Sequence, residues 1–192
     1  EPRALNELFP DWKDKGAPLN APVTADEIYY FTGADKASKV PGPFAPKTMH
    51  NEGNYVISLG NLCRWLAEQA EGLGIEIFPG FAATEILYND DGSVKGIATG
   101  DFGIDHNGEK KDSYMPGMEL HAKYTVFSEG CRGHLGKQLM EKYNLREGVD
   151  PQHYGIGIKE LWEIDPSKHQ KGLVMPSAGW PLSESGSPGG AF

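Results

Sequence analysis

Residues 125–139, TVFSEGCRGHLGKQL, set an acid, a thiol and an imidazole among three glycines. Apolar residues suited to a buried strand run into Glu129 and Gly130, and a stretch able to form a helix begins near Gly133. A strand that turns through glycine into a helix directs backbone N–H groups and the positive end of the helix dipole at one place. That arrangement favours a diphosphate or a sugar-alcohol chain. Gly130 and Gly133 lack Cβ atoms and permit close backbone approach. Glu129 could accept a hydrogen bond from a sugar hydroxyl. The same residues also suit an ordinary tight turn, and taken alone they leave both readings open.

Other chemistry is harder to assemble. The 27 acidic residues include no pair spaced for general acid–base work. His134 is a candidate proton donor, although a helix-capping or solvent-facing role suits its position better. The six histidines form no i, i+4 pair, and Cys63 and Cys131 stand too far apart for a metal or redox motif. No metal site and no catalytic nucleophile or acid–base residue is assigned.

Periodicity outlines the elements that must hold the turn. Leu5, Leu8, Phe9 and Trp12 recur at helical spacing, with Pro2 suited to a helix start and Pro10 interrupting the pattern. They fit either a small helix covering a core or an apolar rim dipping into a lipid interface. Residues 13–48 are dense in Pro and Gly and read as connections, with EIYYFT (27–32) as a strand. Leu59, Leu62, Cys63, Leu66, Ala67, Ala70 and Leu73 predict a helix with one buried face, capped by Ser58 and stopped by Gly72 and Gly74. On that stripe Cys63 is expected to be an inert packing thiol.

Strands are predicted over 75–80 (IEIFPG), 118–127 (MELHAKYTVF) and 153–164 (HYGIGIKELWEI). TEILYN, DDGS and VKGIATG (84–100) read as a hairpin, residues 103–117 as polar turns, and residues from about Gly133 to Tyr143 as a helix. The order of elements predicts an α/β layout, α+β overall, with a second sheet appended.

Bulk properties narrow the classes. Of 192 residues 39% are apolar, with 25 Gly and 14 Pro, as in a loop-rich globular protein. A net charge of −9 argues against nucleic acid and against attraction to anionic lipid heads, so any membrane contact would be apolar. No apolar run is long enough to span a bilayer. The chain opens without Met and stops at GGAF, and it is expected to be a piece of a longer polypeptide.

The segments RWLAEQAEGLGIEIFPGFAATEIL, DDGSVKGIAT and YTVFSEGCRGHLGKQL resemble the middle of a glutathione-reductase-type flavoprotein. With MHNEGNYVISLGNLC, YGIGIKELWEID and GWPL before a Gly-Gly pair, the chain resembles more narrowly the electron transfer flavoprotein–ubiquinone oxidoreductase family, over nearly its whole length. The resemblance implies an enzyme with an FAD domain, a ubiquinone domain facing the membrane and a domain with a four-iron four-sulfur cluster. Such an enzyme passes electrons from reduced electron transfer flavoprotein to ubiquinone.

It further implies three parts here. Residues 1–50 would be a membrane-proximal quinone-domain segment. Residues 51–146 would be part of a glutathione-reductase-like FAD domain containing a three-stranded meander. Residues 147–192 would begin a mixed-sheet ubiquinone domain.

By the same resemblance, Ser128, Glu129 and Gly130 contact FAD, and the backbone of Ala83 borders its adenine. Gly189 and Gly190 lie at the ubiquinone head group, and Leu5, Leu8, Phe9 and Trp12 fall near the membrane-dipping segment. Gly133 stands where many relatives carry Ser, so no side-chain hydrogen bond is assigned there. Tyr154 and Trp180 could line a quinone pocket, though core packing suits both better. The expected location is a membrane surface, without spanning it: the cytoplasmic face of a bacterial inner membrane or the matrix face of the mitochondrial inner membrane. The chain contains neither a G-x-G-x-x-G loop nor four clustered cysteines, which would come from elsewhere in the parent, so the piece alone is expected to be inactive. Competing readings are a nitrogen-fixation-linked quinone reductase, a geranylgeranyl reductase, and a non-catalytic membrane-docking module.

Overall fold

The computed structural model describes residues 1–185. The first stretch contains α1 (Arg3–Leu8), β1 (Ala25–Asp26), β2 (Tyr29–Gly33), β3 (Lys36–Lys39) and α2 (Leu59–Gly72). Next come β4 (Ala83–Tyr88), β5 (Val94–Thr99), β6 (Phe102–Ile104), β7 (Lys110–Met115) and β8 (Glu119–His121). The chain continues through α3 (His134–Lys142), β9 (Leu173–Val174) and β10 (Ser177–Gly179). The fold is α+β with small sheets, and it divides into two compact units. One comprises Glu1–Glu76 and the described residues from Glu160 onward, the other Ile77–Lys159. The helix α2 lies in the first of these units.

In the first unit, Ser58 caps α2 as its spacing predicted, its Oγ accepting from the Asn61 amide at 3.4 Å. The core forms around Trp12, Ala17 and Trp65, with Leu5, Phe9 and Leu62 packed on it. The Phe9 and Trp65 rings meet edge to face at 5.4 Å. Burying an indole requires a partner for its N–H. Trp65 Nε1 donates to the Lys15 carbonyl at 3.0 Å and Trp12 Nε1 to Asn6 Oδ1 at 2.6 Å. The expected buried stripe of α2 is corrected here. Leu59, Cys63 and Leu73 are exposed, whereas Leu62 and Leu66 pack on the core beside the buried anchor Trp65, so only part of the stripe is covered.

The strand β2 pairs antiparallel with β3 and parallel with β10, and β1 pairs with β9. Tyr29 and Phe31 alternate toward one face, the period-two pattern visible in EIYYFT.

In the second unit the predicted meander is present as β4–β5–β8. Its first turn is closed by Asp91, whose Oδ1 accepts from the Ser93 amide and hydroxyl, with Gly92 at φ +83°. These bonds from Ser93 hold the Asp91 carboxyl below its ordinary pKa. An added hairpin, β6–β7, occupies the polar stretch read as turns. It closes through Asp105, which accepts from the amides of Asn107 and Glu109. α3 lies where predicted; Leu135 is fully buried and the Tyr143 hydroxyl donates to the Gly92 carbonyl at 2.6 Å.

Three predicted strands are corrected. Residues 75–80 and 153–164 form no ladder, and of 118–127 only β8 does. A strand requires a neighbour for its amides and carbonyls, and the described residues supply none for these segments. Their apolar side chains consequently face outward, as at Tyr124, Val126, Ile158 and Trp162, with Ile156 at 97% exposure.

Candidate functional site

The turn between residue 128 and α3 is built around a carboxylate. Gly130 sits at φ +79°, a conformation that favours glycine, and the space a Cβ would enter is open. Glu129 folds back over the start of α3. Its Oε2 accepts from the Gly136 amide at 2.8 Å, its Oε1 from the Leu135 amide at 3.3 Å, and His134 Nδ1 lies 3.2 Å from Oε1. The carboxylate thereby satisfies helix amides and opposes the dipole. Gly133 makes this possible, because a Cβ there would stand 2.4 Å from Glu129 Cβ and 2.7 Å from its Oε2.

Within the first turn of α3, the Leu135 and Gly136 amides are taken by the protein's own acid. His134 serves that cap. The role of Gly133 was absent from the sequence reading, since nothing in the linear order shows which side chain returns over it.

Beside the turn lies a hollow of about 720 Å³ bordered by Gly130, Cys131, Lys137, Arg146 and Tyr154. Two cations thus face it. Arg146 is steadied by Gln152 Oε1 at 3.2 Å, and the Arg132 guanidinium lies 5.6 Å from the centre of the Tyr154 ring. Tyr154, considered for a quinone pocket, borders this hollow instead. Ser128 is exposed beside Glu129. Ala83 pairs with Thr99 and borders a separate apolar hollow of about 200 Å³ with Phe78, Phe81 and Met118. The structure does not bring Ala83 into the hollow of the turn.

The four residues expected at a lipid surface divide. Trp12 is 5% exposed and anchors the core that Leu5 and Phe9 pack against, whereas Leu8 is 70% exposed. Trp12 is therefore a core residue: the turn after α1 sets it in the cluster with Ala17 and Trp65. Gly189 and Gly190 lie outside the described residues.

The first unit carries a further hollow, of about 760 Å³, on the face of β2 and β10. Tyr29, Phe31, Val56, Leu173 and Met175 form its apolar walls, and Ser177 joins them. The Tyr29 hydroxyl donates to Glu27 Oε2 at 2.8 Å, and Lys39 Nζ meets Glu27 Oε1 at 2.9 Å. Lys39 first, and Tyr29 second, hold the Glu27 carboxyl below its ordinary pKa, while Glu27 raises that of both partners. Ser177 is only 6% exposed, and its Oγ has no hydrogen-bond partner among the described residues. Nothing in GLVMPSAGW singled it out. Among the described residues no group of three or more His, Cys, Asp and Glu could hold a metal, and no helix is long and apolar enough to cross a membrane.

Comparison with known proteins bears on both hollows. Residues 154–192 match the family model "ETF-QO, ubiquinone-binding". An electron transfer flavoprotein-ubiquinone oxidoreductase of Pseudomonas aeruginosa is 67% identical over 193 aligned positions, covering all of this chain and 35% of that protein. A probable electron transfer flavoprotein-ubiquinone oxidoreductase of Acinetobacter baylyi is 65% identical, over 99% of this chain and 33% of that protein. The mitochondrial electron transfer flavoprotein-ubiquinone oxidoreductase of Bos taurus is 53% identical over all of this chain and 31% of its own length. The chain thus spans about a third of the length of the curated relatives it matches. With likeness this close running through the turn, the sheets and the 760 Å³ hollow, the chain belongs to the electron transfer flavoprotein–ubiquinone oxidoreductase family.

Proposed function

We propose that the complete protein containing these residues transfers electrons from reduced electron transfer flavoprotein, through FAD and a four-iron four-sulfur cluster, to ubiquinone at a membrane surface. The observation that carries this reading is the likeness to named oxidoreductases over the entire chain, including a ubiquinone-binding segment at 154–192. The membrane would be the bacterial inner membrane on its cytoplasmic face, or the mitochondrial inner membrane on its matrix face.

The turn suits the sugar–phosphate part of a flavin nucleotide in a particular way. Glu129, pinned by helix amides, retains lone pairs for a sugar hydroxyl, and Gly130 leaves the approach open. Lys137 and Arg146 offer charge for phosphate in place of the occupied helix terminus. When bound, FAD supplies the redox chemistry; this chain's contribution is to hold and orient it. Two cysteines cannot ligate a four-iron cluster, so its thiolates would come from other parts of the protein. The exposure of Leu8 on α1 supports lipid contact at that residue.

Turnover of the full-length protein with reduced electron transfer flavoprotein and a soluble quinone tests the reading. Quinone reduction with one flavin per chain is expected, and the 192-residue chain alone should purify colourless. Full flavin content without quinone reduction would overturn it.

A further inference from the structure

Of the eight asparagines in the chain, Asn107 alone is followed by glycine. It stands at the tip of the β6–β7 hairpin, in the turn from Asp105 to Glu109. Asp105 Oδ1 accepts from the Asn107 and Glu109 amides at 2.8 and 2.9 Å, and the Gly108 amide donates to the Asp105 carbonyl at 3.1 Å. These bonds order the backbone of the turn and leave the Asn107 side chain out. That side chain is exposed, and no hydrogen bond among the described residues holds its carboxamide. Gly108 lies at φ +86°, with nothing within 4 Å of the place a Cβ would take. The Gly108 nitrogen and the Asn107 carboxamide carbon are thus free to meet when the tip of the turn opens, and such tips open readily.

We propose that Asn107 is a site of spontaneous covalent modification in the folded protein, through attack of the Gly108 backbone nitrogen on the Asn107 side-chain carbonyl carbon. The new bond joins Gly108 N to Asn107 Cγ and closes a cyclic imide. The Cγ–Nδ2 bond breaks, and the Gly108 amide hydrogen leaves with that nitrogen as ammonia. Water then opens the imide at one of its two carbonyls. Opening at Cγ yields aspartate, and opening at the backbone carbonyl yields isoaspartate. No electrons are transferred, and water is the one co-reactant.

The turn between β4 and β5 supplies the contrast. Asp91 also precedes a glycine of positive φ, but its Oδ1 accepts from the Ser93 amide and hydroxyl. A carboxylate pinned in this way is a poor electrophile. Asn51, Asn89 and Asn144 use Nδ2 to donate to the Met49 carbonyl, Ser93 Oγ and Glu147 Oε2, and each precedes a residue with a side chain. At residue 107 either product places a carboxylate between Asp105 and Glu109 in the sequence, and isoaspartate also adds a methylene to the backbone of the turn. The neighbouring pair of the ladder, Ile104 with Lys110, should loosen.

The test incubates the full-length protein in warm, mildly alkaline buffer, both native and in denaturant. Isoaspartate is counted by enzymatic methyl transfer from S-adenosylmethionine and placed by peptide mapping. In the native protein residue 107 should lead Asn20, Asn89 and Asp91 by at least about tenfold in rate, the equivalent of ~1.4 kcal/mol of barrier. Its native rate should lie within about tenfold of its rate in denaturant. Asn107→Gln, whose ring closure is larger, should remove the signal. Amide exchange at Ile104 and Lys110 should be faster in aged wild type than in the aged variant, with β4 and β5 unaffected.

A native rate slower than that margin overturns the proposal, because the turn would then protect the residue. So does isoaspartate that appears first at another residue, or a signal that persists at position 107 in Asn107→Gln. Amide exchange that modification leaves unchanged overturns the loosening of the hairpin.

Discussion

A Cβ on Gly133 would fall 2.4 Å from the Cβ of Glu129, so the acid lies over the start of α3 only because residue 133 has no side chain. Gly133→Ala should expel the carboxylate and leave the Leu135 and Gly136 amides without it. The expected loss is about 1–2 kcal/mol, as for a helix cap. Glu129→Ala should cost a similar amount. The double variant should cost much less than the sum, because both changes remove one interaction. Denaturant melts of the full-length protein check this, and flavin content measured in parallel shows whether the cap also holds the cofactor.

Trp12 and Leu8 differ in role, the one buried and the other exposed. Trp12→Ala should cost about 3–5 kcal/mol, since it opens the core beneath Trp65. Leu8→Ser should alter stability by less than about 0.5 kcal/mol. If α1 meets lipid, Leu8→Ser should weaken flotation of the full-length protein with neutral liposomes while leaving its melt unchanged.

The Glu27–Lys39–Tyr29 group links the β2–β3 hairpin to pH. The Glu27 pKa is lowered on folding, so its stabilisation is full above the unfolded value of about 4.3 and is lost as pH falls through the lower folded value. Lys39 and Tyr29 are shifted up, so theirs is full below about pH 10 and is lost as pH rises past the folded values. The difference in melting temperature between wild type and Glu27→Gln should therefore be present at neutral pH and close on acidification below about pH 4.

Tyr143 joins the last turn of α3 to the hairpin between β4 and β5 through the Gly92 carbonyl. Tyr143→Phe should cost about 1 kcal/mol, the net worth of one hydrogen bond. Amide exchange should accelerate at the end of α3 and around residues 89–93, and leave β2 and β3 unaffected.

Local chemistry accounts for the parts that could be read in advance. Ser58 before an apolar repeat marks the start of α2, Asp91-Gly92 between β-formers marks a hairpin, and the glycines before His134 mark the start of α3. Each depends on residues within a few positions. The corrected features depend on distant ones. Residues 75–80 and 153–164 have the composition of buried strands, yet composition cannot furnish the neighbouring strand. The β6–β7 hairpin lacks an apolar alternation because most of its residues face solvent. Glu129 reaches Gly136 seven positions ahead, by way of a glycine read in the sequence as room for a ligand. Ser177 stood out only when its neighbours across the ladder were known.

The unladdered run through Ile156, Ile158, Leu161 and Trp162 has a consequence for how the protein is made. Such a run has unsatisfied amides and greasy side chains on offer to the first compatible partner it encounters. On a ribosome that partner is either another part of the same polypeptide or an identical nascent neighbour. Truncated versions should collect in inclusion bodies, and charged residues placed at Ile156 and Ile158 should keep them dispersed.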